Sequence, residues 1–149
     1  MNPDHYQGHL FLGEAHIQQK RFDEAVSALR KGLSTSGERA QLLGPLGHVL
    51  GLAGRAGEAR GILAELTALA ERRRVPGDLV AEVYVGLGEQ SRAIEWLEKA
   101  YEARAPSLAY INVEPMFDSL RPDPRFQAVL MRLGLPRSEA SRTRITSPD

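Results

Sequence analysis

The chain contains no cysteine. That absence excludes disulfides, thiolate metal sites and cysteine nucleophiles, and it suits a reducing compartment. Net charge is missing too: 19 basic residues are balanced by 19 acidic ones, so no overall field draws the chain to nucleic acid or to anionic lipid. No apolar run approaches the length needed to span a bilayer. The first residues, MNPDHYQGHLFLG, lack a basic segment followed by a long apolar stretch, so a secretory signal is not expected and a cytoplasmic location is. The sequence does have an ordinary soluble balance, 42% hydrophobic and 26% charged, enough apolar material for a packed core.

Sliding the sequence against itself uncovers a repeat. At an offset of 34 residues, Ala25, Ala59 and Ala93 coincide, and so do Leu29, Leu63 and Leu97. Leu12-Gly13 falls on Leu46-Gly47 and on Val80-Ala81, and Gly54 falls on Gly88, with no insertion across three copies. A fixed period of this size marks a stacked array of identical supersecondary units.

Each copy reads as two helices. In the third, Ala93, Trp96, Leu97, Ala100 and Tyr101 follow the three-and-four spacing of one helical face, while Glu95, Glu98, Lys99 and Glu102 lie opposite. The spacing predicts helices over about 3–19, 22–34, 38–53, 56–73, 78–86 and 91–104. Asn2 is the expected cap of the first, with Pro3 at its first position. Small residues at positions 13, 47 and 81, and at 25, 59 and 93, allow paired helices to approach to roughly 8–10 Å. Further on, Asp123 is a plausible cap with Pro124 behind it, Phe126, Val129, Leu130 and Leu133 form an apolar stripe, and Gly134 and Pro136 end the helix.

These residues resemble the tetratricopeptide repeat: Leu12-Gly13, Ala25, Leu29 and Gly32 in the first copy; Leu46-Gly47, Gly54, Ala59 and Leu63 in the second; Tyr84, Gly88, Ala93, Leu97 and Ala100 in the third. The resemblance implies an all-α, right-handed α-α superhelix of three helix hairpins plus a C-terminal capping helix. The expected organisation is a helical domain over 1–136, with repeats at about 6–39, 40–73 and 74–107, a cap at about 108–136, and a flexible tail over 137–149. The stretch from Gly88 to Pro136, with Phe117-Asp118, Leu120-Arg121 and Asp123-Pro124-Arg125-Phe126, is similar to the C-terminal segment of tetratricopeptide regions in multidomain bacterial signalling proteins. That implies a bacterial origin and a regulatory or scaffolding role.

In such arrays the first helix of each copy lines an inner, concave face. Projected onto this sequence, that face carries Gln7, Leu10, Glu14, Ile17, Gln18, His48, Leu52, Asp78, Glu82 and Val85. Glu14, Asp78 and Glu82 make it mildly acidic. The expected ligand is an extended or helical peptide with apolar anchors and a basic residue; the plainer alternative is a set of ordinary solvated side chains. The cationic clamp with which some family members hold a C-terminal carboxylate is missing, because the matching places hold Leu10, Glu14, Gly44, Pro45, Asp78 and Leu79.

Other candidates are weaker. His5 and His9 are one helical turn apart, but no third ligand follows them, so no metal is expected. GLAGRAG at 51–57 lacks the Gly-Lys-Ser/Thr ending of a phosphate loop, and no strand precedes it. The arginines of ERRR at 71–74 fit a helix C-terminus, with no interleaved aromatics to suggest nucleic acid. No catalytic motif stands out, so the chain is read as a non-enzyme without cofactors. The expected function is a scaffold for a protein or peptide partner, with no nucleic-acid or membrane partner. The alternative is a regulatory or sensory segment that self-associates as a homo-oligomer or binds a small ligand. The second copy holds Gly44, Gly47, Gly51, Gly54, Gly57 and Gly61 together with Pro45, and on propensity alone it is expected to be the least stable, with a kink near Pro45.

Overall fold

The computed structural model describes residues 5–35, 39–72 and 74–135. Among them are seven α-helices and two 3₁₀ helices, with no strand. The helices are α1 (His5–Gln18), α2 (Phe22–Thr35), α3 (Arg39–Leu52), α4 (Ala56–Glu71), α5 (Gly77–Gly86), α6 (Gln90–Glu102) and α7 (Pro124–Arg132). The 3₁₀ helices, Pro106–Tyr110 and Pro115–Leu120, lie between α6 and α7. The expected cap at Asn2 and the tail after 136 lie outside the described residues.

The array is built by short turns and nearest-neighbour packing. α1 pairs with α2, α3 with α4 and α5 with α6, and each hairpin then packs on the next through α2 against α3 and α4 against α5. This is an all-α helical repeat, as the 34-residue period implies. The backbone repeats with the sequence. Lys20, Gly54 and Gly88, each one period apart, all adopt the left-handed conformation, with φ of 61°, 79° and 79°. Each end is closed by the same pair of bonds: the amide of Lys20 donates to Ile17 and that of Arg21 to His16, with the matching pairs at Gly54-Arg55 and Gly88-Glu89. These satisfy carbonyls that the helix end would otherwise leave bare.

The apolar spacing explains the core. Ala25, Leu29, Ala59, Ala93 and Leu97 are all fully buried, and they are the residues that recur at the 34-residue period. Arginine–carboxylate pairs tie successive hairpins on the outside, Arg30 with Glu58 at 2.7 Å and Arg60 with Glu89 at 3.1 Å. The Arg30–Glu58 pair is exposed, so it orients the surfaces more than it stabilises them.

The second copy departs from expectation in its setting. α3 runs unbroken through Pro45, and every residue from Leu42 to Leu50 is buried. It is surrounded by α1, α2, α4 and α5. Its glycines serve close approach: a Cβ on Gly51 would stand 2.5 Å from the carbonyl carbon of Gly86, and one on Gly47 would stand 2.5 Å from Val83 Cγ2. The propensity cost of these residues is offset by helix contacts that larger side chains would forbid.

At the C-terminal end, Asp123 caps α7 as the sequence suggests, its Oδ1 accepting from the amide of Arg125 at 2.8 Å. Gly134 closes the helix at φ 72°. The region between α6 and α7 is the less expected part. Its two 3₁₀ helices pack on α6, and the second also reaches α5, burying Leu108, Ile111, Met116, Phe117 and Leu120.

Candidate functional site

Three first helices and the 106–120 segment meet around one cavity of about 170 Å³. α1 contributes Leu10 and Glu14, α3 contributes Gln41 and Pro45, and α5 contributes Asp78, Leu79 and Glu82. The fourth wall comes from Ser107, Tyr110, Ile111, Glu114 and Phe117. The walls are about equally apolar and polar, and four of the polar side chains, Glu14, Asp78, Glu82 and Glu114, are carboxylates. No lysine, arginine or histidine is among the lining residues.

Burial raises the pKa of each of these carboxyl groups, and for Glu14, Glu82 and Glu114 neighbouring carboxylates add to it. Burial raises the Glu14 pKa above the usual carboxylate range, and the charge of Glu114 adds to it. Asp78 is raised by burial, partly offset by the Ser107 hydroxyl, which donates to its Oδ1 at 2.8 Å. Glu114 is raised by burial and by Asp78. Glu82 is raised furthest: burial comes first, then the charges of Asp78, Glu114 and Glu14. Its Oε2 is shut off from solvent, has no hydrogen-bond partner and lies where a side chain on Gly44 would have to go. An enclosed acceptor left unmet costs free energy, so it is a place where an arriving donor gains most.

Other acidic residues of the chain are treated differently. Glu24, Glu58, Glu89, Asp118 and Asp123 each face an arginine within ion-pair distance. No cation among the described residues lines the cavity that gathers the others. Among the described residues, no group of three or more histidines or carboxylates is arranged to hold a metal ion.

The ten residues projected onto the inner face divide among several places. Leu10, Glu14, Asp78 and Glu82 come together at the cavity. Glu14, Ile17 and Gln18 line a neighbouring recess of similar volume that is closed by Glu114, Pro115 and Met116. Ile17 and Val85 belong to the core, and so does His48, which is 4% exposed. His48 Nδ1 donates to the carbonyl oxygen of Glu82 at 2.9 Å. Burial lowers the His48 pKa, so the ring is neutral. Gln7 and Leu52 are exposed and line none of these walls.

Sequence reasoning did not find Ser107, Tyr110, Glu114 or Phe117 as site residues. It assigned the stretch to a lid over the last hairpin, and the return of that stretch toward α1 is a tertiary event. Pro106 and Pro115, each opening a 3₁₀ helix, were the available signal that the chain turns twice there.

A larger cleft lies between the end of α4, the start of α5 and α6, lined by Val75, Pro76, Trp96 and Ala100. It carries charges of both signs, and Lys99 already sits over the Trp96 ring at 4.2 Å. Mixed charge and a covered ring give it no distinct ligand chemistry.

Residues 6–38 and 79–106 match the family model described as tetratricopeptide repeat. They correspond to the first and third hairpins, α1–α2 and α5–α6, with the glycine-rich α3–α4 hairpin between them. Comparison with curated proteins gives no significant match, and neither does comparison with solved structures. Among the described residues, no helix is long and apolar enough to cross a membrane.

Proposed function

We infer that this chain, which carries tetratricopeptide repeats, is an interaction scaffold that holds a protein or peptide partner on the face formed by α1, α3 and α5. Repeats of this kind generally mediate protein–protein contact, and the family is typically non-catalytic. The observation that carries the reading is the convergence of all three first helices on one partly apolar cavity with unmatched carboxylates. Apolar burial would supply affinity, and the acidic groups would set orientation and partner choice. Zero net charge and the lack of cysteine favour a protein partner in a reducing, cytoplasmic setting over nucleic acid or a lipid surface.

Peptide display against the full chain tests this. Selected peptides are expected to bind with dissociation constants around micromolar, about 8 kcal/mol of binding free energy. Binding should fall when Leu10→Arg disturbs the inner face and hold when Arg60→Glu alters the outer one. Equal loss from both substitutions, or a selection that yields no binder, would overturn the reading. The second reading is a regulatory segment of a bacterial signalling system that self-associates or binds a small molecule. It draws support from the likeness of residues 88–136 to such regions, and it predicts a concentration-dependent mass or a co-purifying metabolite.

A further inference from the structure

We propose that the cavity between α1, α3, α5 and the 106–120 segment is a receptor for one cationic side chain of a protein partner, an arginine in the first instance. The proposal rests on the scaffold reading for the source of that side chain, and on the cavity alone for its chemistry.

Four carboxylates reach the cavity from three separate parts of the chain: Glu14 from α1, Asp78 and Glu82 from α5, and Glu114 from the turn between the 3₁₀ helices. Collecting like charges in a partly dry space is unfavourable unless protons or a cation neutralise them. Among the described residues none supplies a cation at this place, although arginines face carboxylates elsewhere. The enclosed, unpartnered Glu82 Oε2 is the second observation. A buried acceptor in that state is suited to a donor brought by a ligand.

The shape argues for an organic cation. Metal ions need oxygen ligands converging to about 2.0–2.6 Å, and no group among the described residues is arranged that way. A guanidinium carries five donors spread over a planar fork, so it can serve carboxylates that do not converge on one point. The methylene stem would lie along Leu10, Leu79, Ile111 and Phe117, which line the same cavity. Tyr110 is 64% exposed while still lining the cavity, which places an aromatic ring at the rim where a passing cation can rest on it. Because Ser107, Glu114 and Phe117 form one wall, the receptor exists only while the 106–120 segment is docked. Ligand and segment should therefore stabilise one another.

The test titrates the full chain with N-acetyl-arginine methylamide, its lysine counterpart and the neutral citrulline isostere, followed by amide chemical shifts. The arginine probe should give saturable shifts in α1, α5 and residues 106–120, with a dissociation constant around millimolar, as one desolvated charge-assisted contact gives. Citrulline should give none. Glu82→Gln and Glu14→Gln should each weaken arginine binding about tenfold or more, equivalent to about 1.4 kcal/mol. Glu14 is partly exposed, so its variant stands in if the Glu82 one fails to fold. No saturable shift, equal binding of citrulline, or binding indifferent to both substitutions would overturn the proposal. If the arginine probe binds while peptide display yields nothing, the receptor stands and the scaffold reading falls. If peptides bind without regard to Glu14 and Glu82, the scaffold reading stands and the receptor falls.

Discussion

The ring of His48 donates from Nδ1 to the backbone oxygen of Glu82, which stands one full repeat further along the chain, at 2.9 Å. The bond crosses from α3 to α5 where the two backbones come closest, with Gly51 and Gly86 in contact beside it. A carbonyl can only accept, so the ring must carry its proton on Nδ1. Glu14, His48 and Glu82 occupy one register position in the three copies, and the middle one hydrogen-bonds the backbone of the next hairpin. His48→Leu keeps apolar bulk but loses the bond, and should cost about 1 kcal/mol. His48→Ala also opens a cavity and should cost about 3 kcal/mol. Urea denaturation of both variants checks the pair, and a His48→Leu variant as stable as the parent would deny the bond any role.

Protonation should act on stability through two opposed groups. Burial keeps His48 neutral in the folded chain, so below its ordinary value of 6.5 the unfolded chain takes up the proton first and stability falls as pH falls. The cavity carboxyls work the other way. Their folded pKa values lie above the ordinary ones, so from about 4.5 upward the folded chain holds protons that the unfolded chain has released, and stability falls as pH rises. Glu82→Gln removes the most strongly raised group. Its thermal midpoint should exceed that of the parent at pH 7, and the decline of the midpoint between pH 4.5 and 7 should become shallower. A lower midpoint at pH 7 would mean that Glu82 has a partner after all.

The helix glycines of the second and third copies should separate into two kinds. Gly57 and Gly61 on α4 have open space where a Cβ would go, so Gly57→Ala and Gly61→Ala should each stabilise by up to about 1 kcal/mol. Gly86, on α5, faces the backbone carbonyl of His48 so closely that a Cβ would overlap it. Gly86→Ala should cost about 3 kcal/mol, because a backbone atom cannot swing aside. Thermal unfolding of the three variants checks the signs, and a uniform response would show that helix spacing is not set here.

The period and the helix pairs were legible in the sequence because small and large apolar residues recur at fixed places, and Ala25, Ala59 and Ala93 fill equivalent buried positions. Among the described residues the helix ends fell within a residue or two of those the spacing predicted, the start of the first helix lying outside them. What the pattern could not give was the purpose of each glycine, since propensity treats Gly51 and Gly57 alike while only Gly51 meets another backbone. The site was half legible. Glu14, Asp78 and Glu82 follow from the register of the first helices. Glu114 and Phe117 do not, because a chain that turns twice at prolines and returns across the array leaves no periodic signature.

Lys20 should be replaceable with profit. It holds a left-handed conformation, φ 61°, at the place where the other two copies have Gly54 and Gly88. A side chain at that conformation costs about 1 kcal/mol, and glycine returns part of it as unfolded-chain entropy. Lys20→Gly should therefore stabilise by about 0.5 kcal/mol, whereas Gly54→Ala and Gly88→Ala should destabilise by about 1 kcal/mol each. Guanidinium denaturation of the three variants is the check, and destabilisation by Lys20→Gly would assign the lysine a contact of its own.

Phe117 tests the link between the 106–120 segment and the cavity. Its ring is 1% exposed and belongs to the main core, although it sits beyond the last repeat. Phe117→Ala should cost about 3–5 kcal/mol, a large share of the roughly 5–15 kcal/mol that holds a domain of this size together. It changes no charge, yet it removes a wall that also carries Glu114, so affinity for the arginine probe should fall alongside stability. Glu82→Gln should lower the affinity without lowering stability. Measuring unfolding free energy and probe affinity on both variants separates a receptor made by docking of the segment from one that α1 and α5 form without it. If Phe117→Ala weakened the fold and left probe affinity unchanged, the segment would be packing alone and no part of the site.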